Sequence, residues 1–454
     1  MNRKHHKSTM LFLINLIYVA VVTVFYAITW YVCYANLLWK EPFWRRGNYV
    51  VILLFALVFV TMGRLYGSFY LRESRISEVI YSNFIALLIT GVIMYFLTWL
   101  LMRRLPSLLP TILYLAAAFA VSVPWAWFGK CYLRRAMPPE RILLLYDNEE
   151  ARANGEYIIR KMFWRFELVG QRKVTERTEE TIAILKEEKP EAIMVCGIHS
   201  TPRNTILKYC VDQDIPVFVR PNIGDFLFAS ATEMQMANLP VMLCKRADPR
   251  LVYAAGKRLA DIILSLAGLI VLSPVMLVTA IAIKLCDHGP VFYAQERMTK
   301  NRKIFSIYKF RSMRVDAEKD GVARLSSKGD RRITPVGRLI RATRIDEIPQ
   351  LFCVLKGDMS LVGPRPERPE IVADYEAGMP EFSLRLQAKA GLTGYAQVYG
   401  KYNTEPYDKL QMDLHYISRQ SFATDLRIIL MTIKILFMPE STEGIEAGQT
   451  TAKK

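Results

Sequence analysis

Residues 257–285 read KRLADIILSLAGLIVLSPVMLVTAIAIKL, an apolar run interrupted by Ser273-Pro274 and flanked by cations at both ends. Its length from Leu259 to Leu285 is ample for the roughly 20 residues that cross a bilayer. Lys257 and Arg258 stand before it, and Lys284, Arg297, Lys300, Arg302 and Lys303 follow. Lys and Arg are retained on the cytoplasmic side, so a segment basic at both ends fits poorly as a span. Pro274 removes a backbone donor and clashes with the preceding turn, which predicts a break near the centre and a return to the leaflet of entry. The Ser273 hydroxyl is placed to satisfy a carbonyl freed by that break, where no water is available. A kinked transmembrane helix is the alternative; the charge on both flanks favours the re-entrant form.

Working outward, four more apolar segments precede the middle of the chain, at about 10–35, 49–62, 83–101 and 108–128. Each is near the length a bilayer requires, and the first is too long for a signal-peptide core. Arg3, Lys4 and Lys7 precede the first, Arg64, Arg72 and Arg75 lie between the second and third, and Lys130, Arg134, Arg135 and Arg141 follow the fourth. This pattern predicts both termini inside, although Lys40, Arg45, Arg46, Arg103 and Arg104 would then lie outside. Four spans followed by a re-entrant helix keep everything after it on the cytoplasmic face of the membrane, whereas a fifth span would export it.

Composition agrees with a membrane protein that has basic cytoplasmic parts: 454 residues, 52% hydrophobic, with a formal net charge of +18 and a mean hydropathy of +0.16. Such charge also suits nucleic acid, but no zinc-finger spacing, RNP-like motif or basic zipper is present, so anionic lipid and a phosphorylated substrate are the expected partners. The seven cysteines contain no CxxC pair and the five histidines no HExxH, which argues against a disulfide framework or a zinc site.

After Ala136-Met137-Pro138-Pro139 the pattern changes. Short apolar runs at 141–146, 191–197 and 215–219 alternate with helical patterns at 149–162, 178–188 and 202–212, predicting a parallel sheet of Rossmann type. The first strand-to-helix turn, Tyr146-Asp147-Asn148-Glu149-Glu150, has no GxGxxG, and its acids would repel a pyrophosphate. A scaffolding, dimerising or regulatory module is expected instead.

From Lys284 to Arg344 there are sixteen Lys and Arg against six Asp and Glu. Ile304–Met313 reads as a strand whose period of two puts Lys309 and Arg311 on one face, as suits a diphosphate. Thr334-Pro335 predicts a helix start, with Val336, Leu339 and Ile340 apolar and Arg338, Arg341 and Arg344 spaced by three, an interfacial amphipathic pattern. Asp346-Glu347 follows at once. Alone it reads as a cap with a dipole-favoured acid; beside so many arginines it also suits magnesium-assisted phosphoryl transfer, in which an ionised Asp attacks phosphorus.

Here the resemblance becomes specific. Lys257-Arg258, Leu272-Ser273-Pro274, Tyr308-Lys309-Phe310-Arg311-Ser312-Met313, Asp346-Glu347, Lys356-Gly357-Asp358-Met359-Ser360-Leu361-Val362-Gly363-Pro364-Arg365-Pro366 and Gly391-Leu392-Thr393-Gly394 occur in the order found in the bacterial sugar transferases, the monotopic polyprenyl-phosphate glycosyl-1-phosphate transferases. The resemblance covers about 256–437, and the preceding spans and Rossmann-like region resemble the family's large subclass. It implies a membrane protein of mixed α and α/β class. Four transmembrane helices would occupy 1–135, a Rossmann-like domain 139–250, a monotopic catalytic domain 256–438, and a disordered tail 439–454.

The resemblance further implies transfer of sugar-1-phosphate from a UDP-sugar to undecaprenyl phosphate with release of UMP, as the first membrane step of exopolysaccharide, capsule or glycoconjugate synthesis. Asp346 would be the nucleophile that carries an aspartyl phosphosugar, and Glu347 its partner in binding Mg²⁺. Lys309, Arg311 and Arg341 would neutralise phosphate charge, Arg365 and Pro366 would bind the nucleotide, and Asp425 would lie near the metal. A homodimer is one assembly the middle domain would serve. Two departures stand out: Ala390-Gly391 where the family has Pro-Gly, and Gly400-Lys401 where it has Gly-Arg, putting a bidentate phosphate contact in doubt. An inactive membrane-tethered scaffold and a transporter are the competing classes; intact Asp346, Glu347, Lys309 and Arg365 argue against the first, and the lack of buried charges in the spans against the second.

Overall fold

The structure, a computed structural model, describes residues 2–38, 46–175, 178–247, 249–314, 330, 332–400 and 405–436. Lys401 and the expected tail at 439–454 lie outside the described residues. The chain forms two compact units, Met1–Pro221 and Asn222–Lys454.

The first unit opens with α1 (Asn2–Thr29), which continues through short irregular turns to Leu37, then α2 (Arg46–Tyr66), α3 (Ile76–Met102) and α4 (Leu108–Ala136). Each packs on the next and α1 packs on α4. Aromatic side chains fill the interior: Tyr18 stacks on Trp125 at 4.3 Å and Tyr26 on Phe55 at 4.1 Å between ring centroids. Outward, Phe12, Leu53, Val92 and Phe128 are exposed. Helices apolar on every side suit a lipid surround. With one long helix of the second unit, Leu251–Asp287, five helices among the described residues are long and apolar enough to cross a membrane by length and composition.

The same unit continues into a four-stranded parallel sheet, ordered β2-β1-β3-β4, from β1 (Glu140–Tyr146), β2 (Phe166–Lys173), β3 (Ala192–Cys196) and β4 (Val217–Val219). Between them run α5 (Glu149–Lys161), α6 (Thr178–Glu188) and α7 (Ser200–Asp212). Alternation along β1 feeds two cores: Ile142 and Leu144 pack with Ala151 and Ile159 of α5, while Leu143 and Leu145 pack with Leu185, Ile206 and Cys210. Asn148 caps α5, its Oδ1 accepting from Ala151 N at 2.8 Å, so an asparagine closes the turn in which a dinucleotide-binding sheet would hold phosphate. Strand β2 was not expected, because Glu167, Gly170, Gln171, Arg172 and Lys173 dilute its apolar signal at the sheet edge.

The second unit begins with α8 (Ile223–Ala229) and a hairpin, β5 (Thr232–Met236) with β6 (Leu239–Leu243), then α9 (Leu251–Asp287). Helix α9 runs continuously through Pro274, so the proline does not end it. The carbonyl that Pro274 cannot serve, Ile270 O, accepts from Ser273 Oγ at 2.8 Å. There follow β7 (Phe292–Met298) and β8 (Ile304–Phe310), paired antiparallel, α10 (Pro335–Ala342), a 3-10 turn at Ile345–Glu347, and α11 (Gln350–Lys356). Strand β9 (Ser360–Val362) pairs in parallel with β10 (Gly391–Thr393) across α12 (Pro369–Gly378), and α13 (Tyr395–Tyr399), α14 (Pro406–Ser418) and α15 (Phe422–Leu436) complete the unit. Val362, Phe382, Leu410, Leu414 and Ile428 form its main core.

Candidate active site

Three short elements meet around Glu347. On β8 the inward side chains are Phe305 and Ile307, which pack against Cys353, Val354 and Met359. Lys309 continues the same face, so a strand anchored by two buried apolar residues carries an ammonium inward. Its Nζ donates to Glu347 Oε1 at 2.8 Å. From the loop after β9, Arg365 Nη2 donates to the same oxygen at 3.0 Å. The carboxylates sit on the 3-10 turn, reached through Arg344 in the left-handed region at φ 57°.

Their surroundings separate the two acids. Burial and the adjacent Glu347 charge push the Asp346 carboxyl up, against the pull of Lys309, Arg341 and Arg344. Burial acts on Glu347 in the same sense, but Lys309 and Arg365 outweigh it and hold Glu347 well below the usual carboxylate range. Burial lowers the Lys309 ammonium, opposed by Glu347. Asp346 itself makes no side-chain hydrogen bond among the described residues. The gap lined by Arg297, Lys309, Gln350, Arg365 and Pro366 has a volume of about 10 Å³, room for one water at most. A much larger cavity, about 760 Å³, lies elsewhere, against Cys286, Asp287, Arg314, Thr334 and Arg338.

Lys309, Asp346, Glu347 and Arg365 are therefore brought together, with Arg341 near enough to act on Asp346 through its charge. Pro366 lines the gap, and its carbonyl accepts from Arg297 at 3.3 Å. Arg311 does not join them. Strand β8 ends at Phe310, Phe310 and Arg311 are both buried, and the alternation that would have kept Lys309 and Arg311 on one face stops there. The Arg311 guanidinium is instead bidentate on Asp287, with one bond of 2.6 Å, while its Nε donates to Pro290 O. Asp425 is likewise engaged elsewhere. Its Oδ2 accepts from Lys257 at 2.7 Å and Tyr253 at 2.8 Å, and its Oδ1 from Tyr416 at 2.9 Å. Among the described residues no three of His, Cys, Asp and Glu gather to hold a metal. Of the expected set, Asp346 and Glu347 are adjacent, and Asp425 is held by Lys257, Tyr253 and Tyr416. Sequence reading missed Asp287 and Arg297, since each finds its partner across a long stretch of chain and no local pattern marks it.

The helix start is as read: Thr334 Oγ1 accepts from Gly337 N at 2.9 Å, with Pro335 in the first turn. Gly337 is required there, because a Cβ would fall 1.9 Å from Ser312 O. Ala390 N donates to Thr299 Oγ1 at 3.0 Å, a bond that a proline in its place would not supply.

The family model for bacterial sugar transferases matches residues 252–439. A UDP-N-acetylgalactosamine-undecaprenyl-phosphate N-acetylgalactosaminephosphotransferase of Aeromonas hydrophila is 42% identical over 191 residues, 41% of this chain and 45% of that protein. A UDP-glucose:undecaprenyl-phosphate glucose-1-phosphate transferase of Xanthomonas campestris pv. campestris is 36% identical over 264 residues, 56% of this chain and 54% of that protein. The chain spans about half the length of these two relatives. It covers 74% of a UDP-glucose:undecaprenyl-phosphate glucose-1-phosphate transferase of Caulobacter vibrioides, at 39% identity over 198 residues, 42% of this chain. With that coverage, and with the matched residues enclosing the Asp346-Glu347 turn and both of its cationic partners, the chain belongs to the bacterial sugar transferase family.

Proposed function

We propose that this chain transfers sugar-1-phosphate from a UDP-sugar to undecaprenyl phosphate, releasing UMP, at the cytoplasmic face of the inner membrane. The observation that carries the reading is the asymmetric dyad. Glu347 is bonded to two cations that hold its carboxyl well below the usual range, whereas Asp346 is buried, adjacent to them and, among the described residues, bonded to no side chain. Asp346, as its carboxylate, attacks the sugar-bearing phosphorus; the bond from that phosphorus to the bridging oxygen breaks and UMP leaves with the oxygen. An oxygen of undecaprenyl phosphate then attacks the aspartyl phosphosugar, and the carboxylate departs. Lys309 and Arg365 lie where charge builds on the phosphates. Their bonds to Glu347 hold them in place until the substrate takes them up.

Mg²⁺ fits the pair, since it takes one or two carboxylates together with substrate phosphate oxygens. Asp346 and Glu347 would hold it, and it would polarise the diphosphate. Asp425, paired with Lys257, has no place in that set.

The re-entrant reading of α9 is supported by what its two ends touch. Near the start, Arg258 donates to Val354 O at 2.6 Å and Leu355 O at 2.7 Å, and Asp261 Oδ1 accepts from Leu361 N at 3.0 Å. Near the end, Ile283 packs on Phe310 and Ile340, and Asp287 pairs with Arg311. A straight helix from Arg258 to Asp287 would be ~44 Å long, more than the ~30 Å hydrocarbon core. Ends bound to one soluble unit belong on one side of the membrane.

The test is UMP release by detergent-purified protein given undecaprenyl phosphate and a panel of UDP-sugars. Turnover with at least one sugar, lost in Asp346→Asn and in EDTA, is expected. Release at the wild-type rate by Asp346→Asn would overturn the assignment.

A further inference from the structure

Arg365 reaches Glu347 from a segment poor in backbone donors. It lies between Pro364 and Pro366, neither of which has an N–H to donate. The backbone there is fixed chiefly through its carbonyls: Pro364 O accepts from Gly391 N at 2.9 Å and Pro366 O from Arg297. Arg365 O accepts from Arg385 Nη2 at 2.8 Å. Arg385 in turn is bound to Asp413, its Nε at 2.9 Å and its Nη2 at 2.7 Å from Oδ2. The two are among the most buried charged residues of the unit, at 3% and 1% exposure, and the Arg385 guanidinium lies 4.9 Å from the centre of the Phe382 ring.

A buried ion pair that served only to fill a core would gain nothing over apolar residues of the same volume. This pair does something apolar residues cannot, by presenting a donor to the one carbonyl between the two prolines. We propose that Arg385, oriented by Asp413, is a positioning residue that sets where the Arg365 guanidinium stands against Glu347 and hence against the donor diphosphate. It touches neither carboxylate of the dyad and acts through the Arg365 backbone. A planar fork with several donors can serve Asp413 and the carbonyl together, whereas lysine keeps the charge and loses the fork.

The inference rests on the reaction proposed above, and a double-mutant cycle on the full-length protein tests it. In Arg385→Lys, kcat/KM for the UDP-sugar should fall about tenfold or more, as small displacements of positioned groups do, with KM for undecaprenyl phosphate unchanged. In an Arg365→Lys background the same substitution should cost less than about threefold, since coupled residues are not additive. Equal losses in both backgrounds, or full activity in a folded Arg385→Lys, would overturn the inference. If Arg385→Lys fails to fold, Asp413→Asn carries the same cycle. If neither folds, the pair is merely a core ion pair and the inference falls. Failure of the wild type to release UMP with any UDP-sugar would instead sink the reaction itself.

Discussion

Asp346 and Glu347 are neighbours of the same chemistry, and what surrounds them gives them different work. Lys309 and Arg365 bond to Glu347, leaving Asp346 as the buried acid with no side-chain partner among the described residues. Lys309 and Arg311 make the complementary case: two cations in one motif, one facing the dyad and the other tied to Asp287. Lys309→Ala should therefore lower kcat by about 10²–10³, the scale of losing one transition-state donor, with the smaller effect on the melting temperature because Arg365 still pairs with Glu347. Arg311→Ala should do the reverse. It strands Asp287 and should cost about 2–3 kcal/mol of stability, somewhat less than a fully buried pair because the Asp287 side chain is 27% exposed. Circular-dichroism melts and UMP assays on the two variants read the difference; a stable but inactive Arg311→Ala would place Arg311 at the phosphates after all. The motif around β8 was legible in sequence, but which of its cations faces the dyad was not, because Asp287 lies 24 residues away.

At the scale of elements, the long helices were legible because a bilayer demands length and uniform apolarity, and the predicted runs fall within α1 with its continuation to Leu37, α2 to α4, and α9. The short elements were harder. Strands β9 and β10 have three residues each and owe their pairing to glycines that admit backbone against backbone. A Cβ on Gly363 would fall 2.2 Å from Lys389 O, and one on Gly391 2.1 Å from Gly363 N. Gly363→Ala should accordingly destabilise the unit and abolish UMP release, since Arg365 hangs from this pairing. Gly224 in α8 is the control: nothing lies within 4 Å of its added Cβ, so Gly224→Ala should be neutral or slightly stabilising. Comparable losses in both would show that the glycine contacts do not govern the site. In α9 the expected break does not occur: the helix is continuous, with Ser273 Oγ replacing the hydrogen bond that Pro274 cannot make. Pro274→Ala restores the missing donor and should straighten the segment. Cysteine labelling at Lys300→Cys from either side of the membrane reads the outcome: wild type accessible only from inside, and the proline variant shifted outward. Outside labelling in a Pro274-containing chain would end the re-entrant reading.

On the scale of the whole molecule, the matched family region, the dyad and every residue bonded to it lie in the unit that begins at Asn222. The parallel sheet of the first unit has two filled cores and an α5 start capped by Asn148, with Glu149 and Glu150 in its first turn. Among the described residues, the cations bonded to the dyad, Lys309 and Arg365, come from the second unit and not from that arrangement. The proposed chemistry should therefore survive separation of the two units. A chain starting at Asn222, purified in detergent, should fold around the Val362, Phe382, Leu410 and Leu414 core. It should release UMP with the same sugar preference as the full chain, and kcat should stay within about threefold, the scale of an effect that leaves positioned groups unmoved. Its Asp346→Asn form should be inactive, which guards against a contaminating enzyme. A folded but inactive fragment would mean that the first unit supplies part of the site. An active fragment with a changed sugar preference would assign that unit to donor selection.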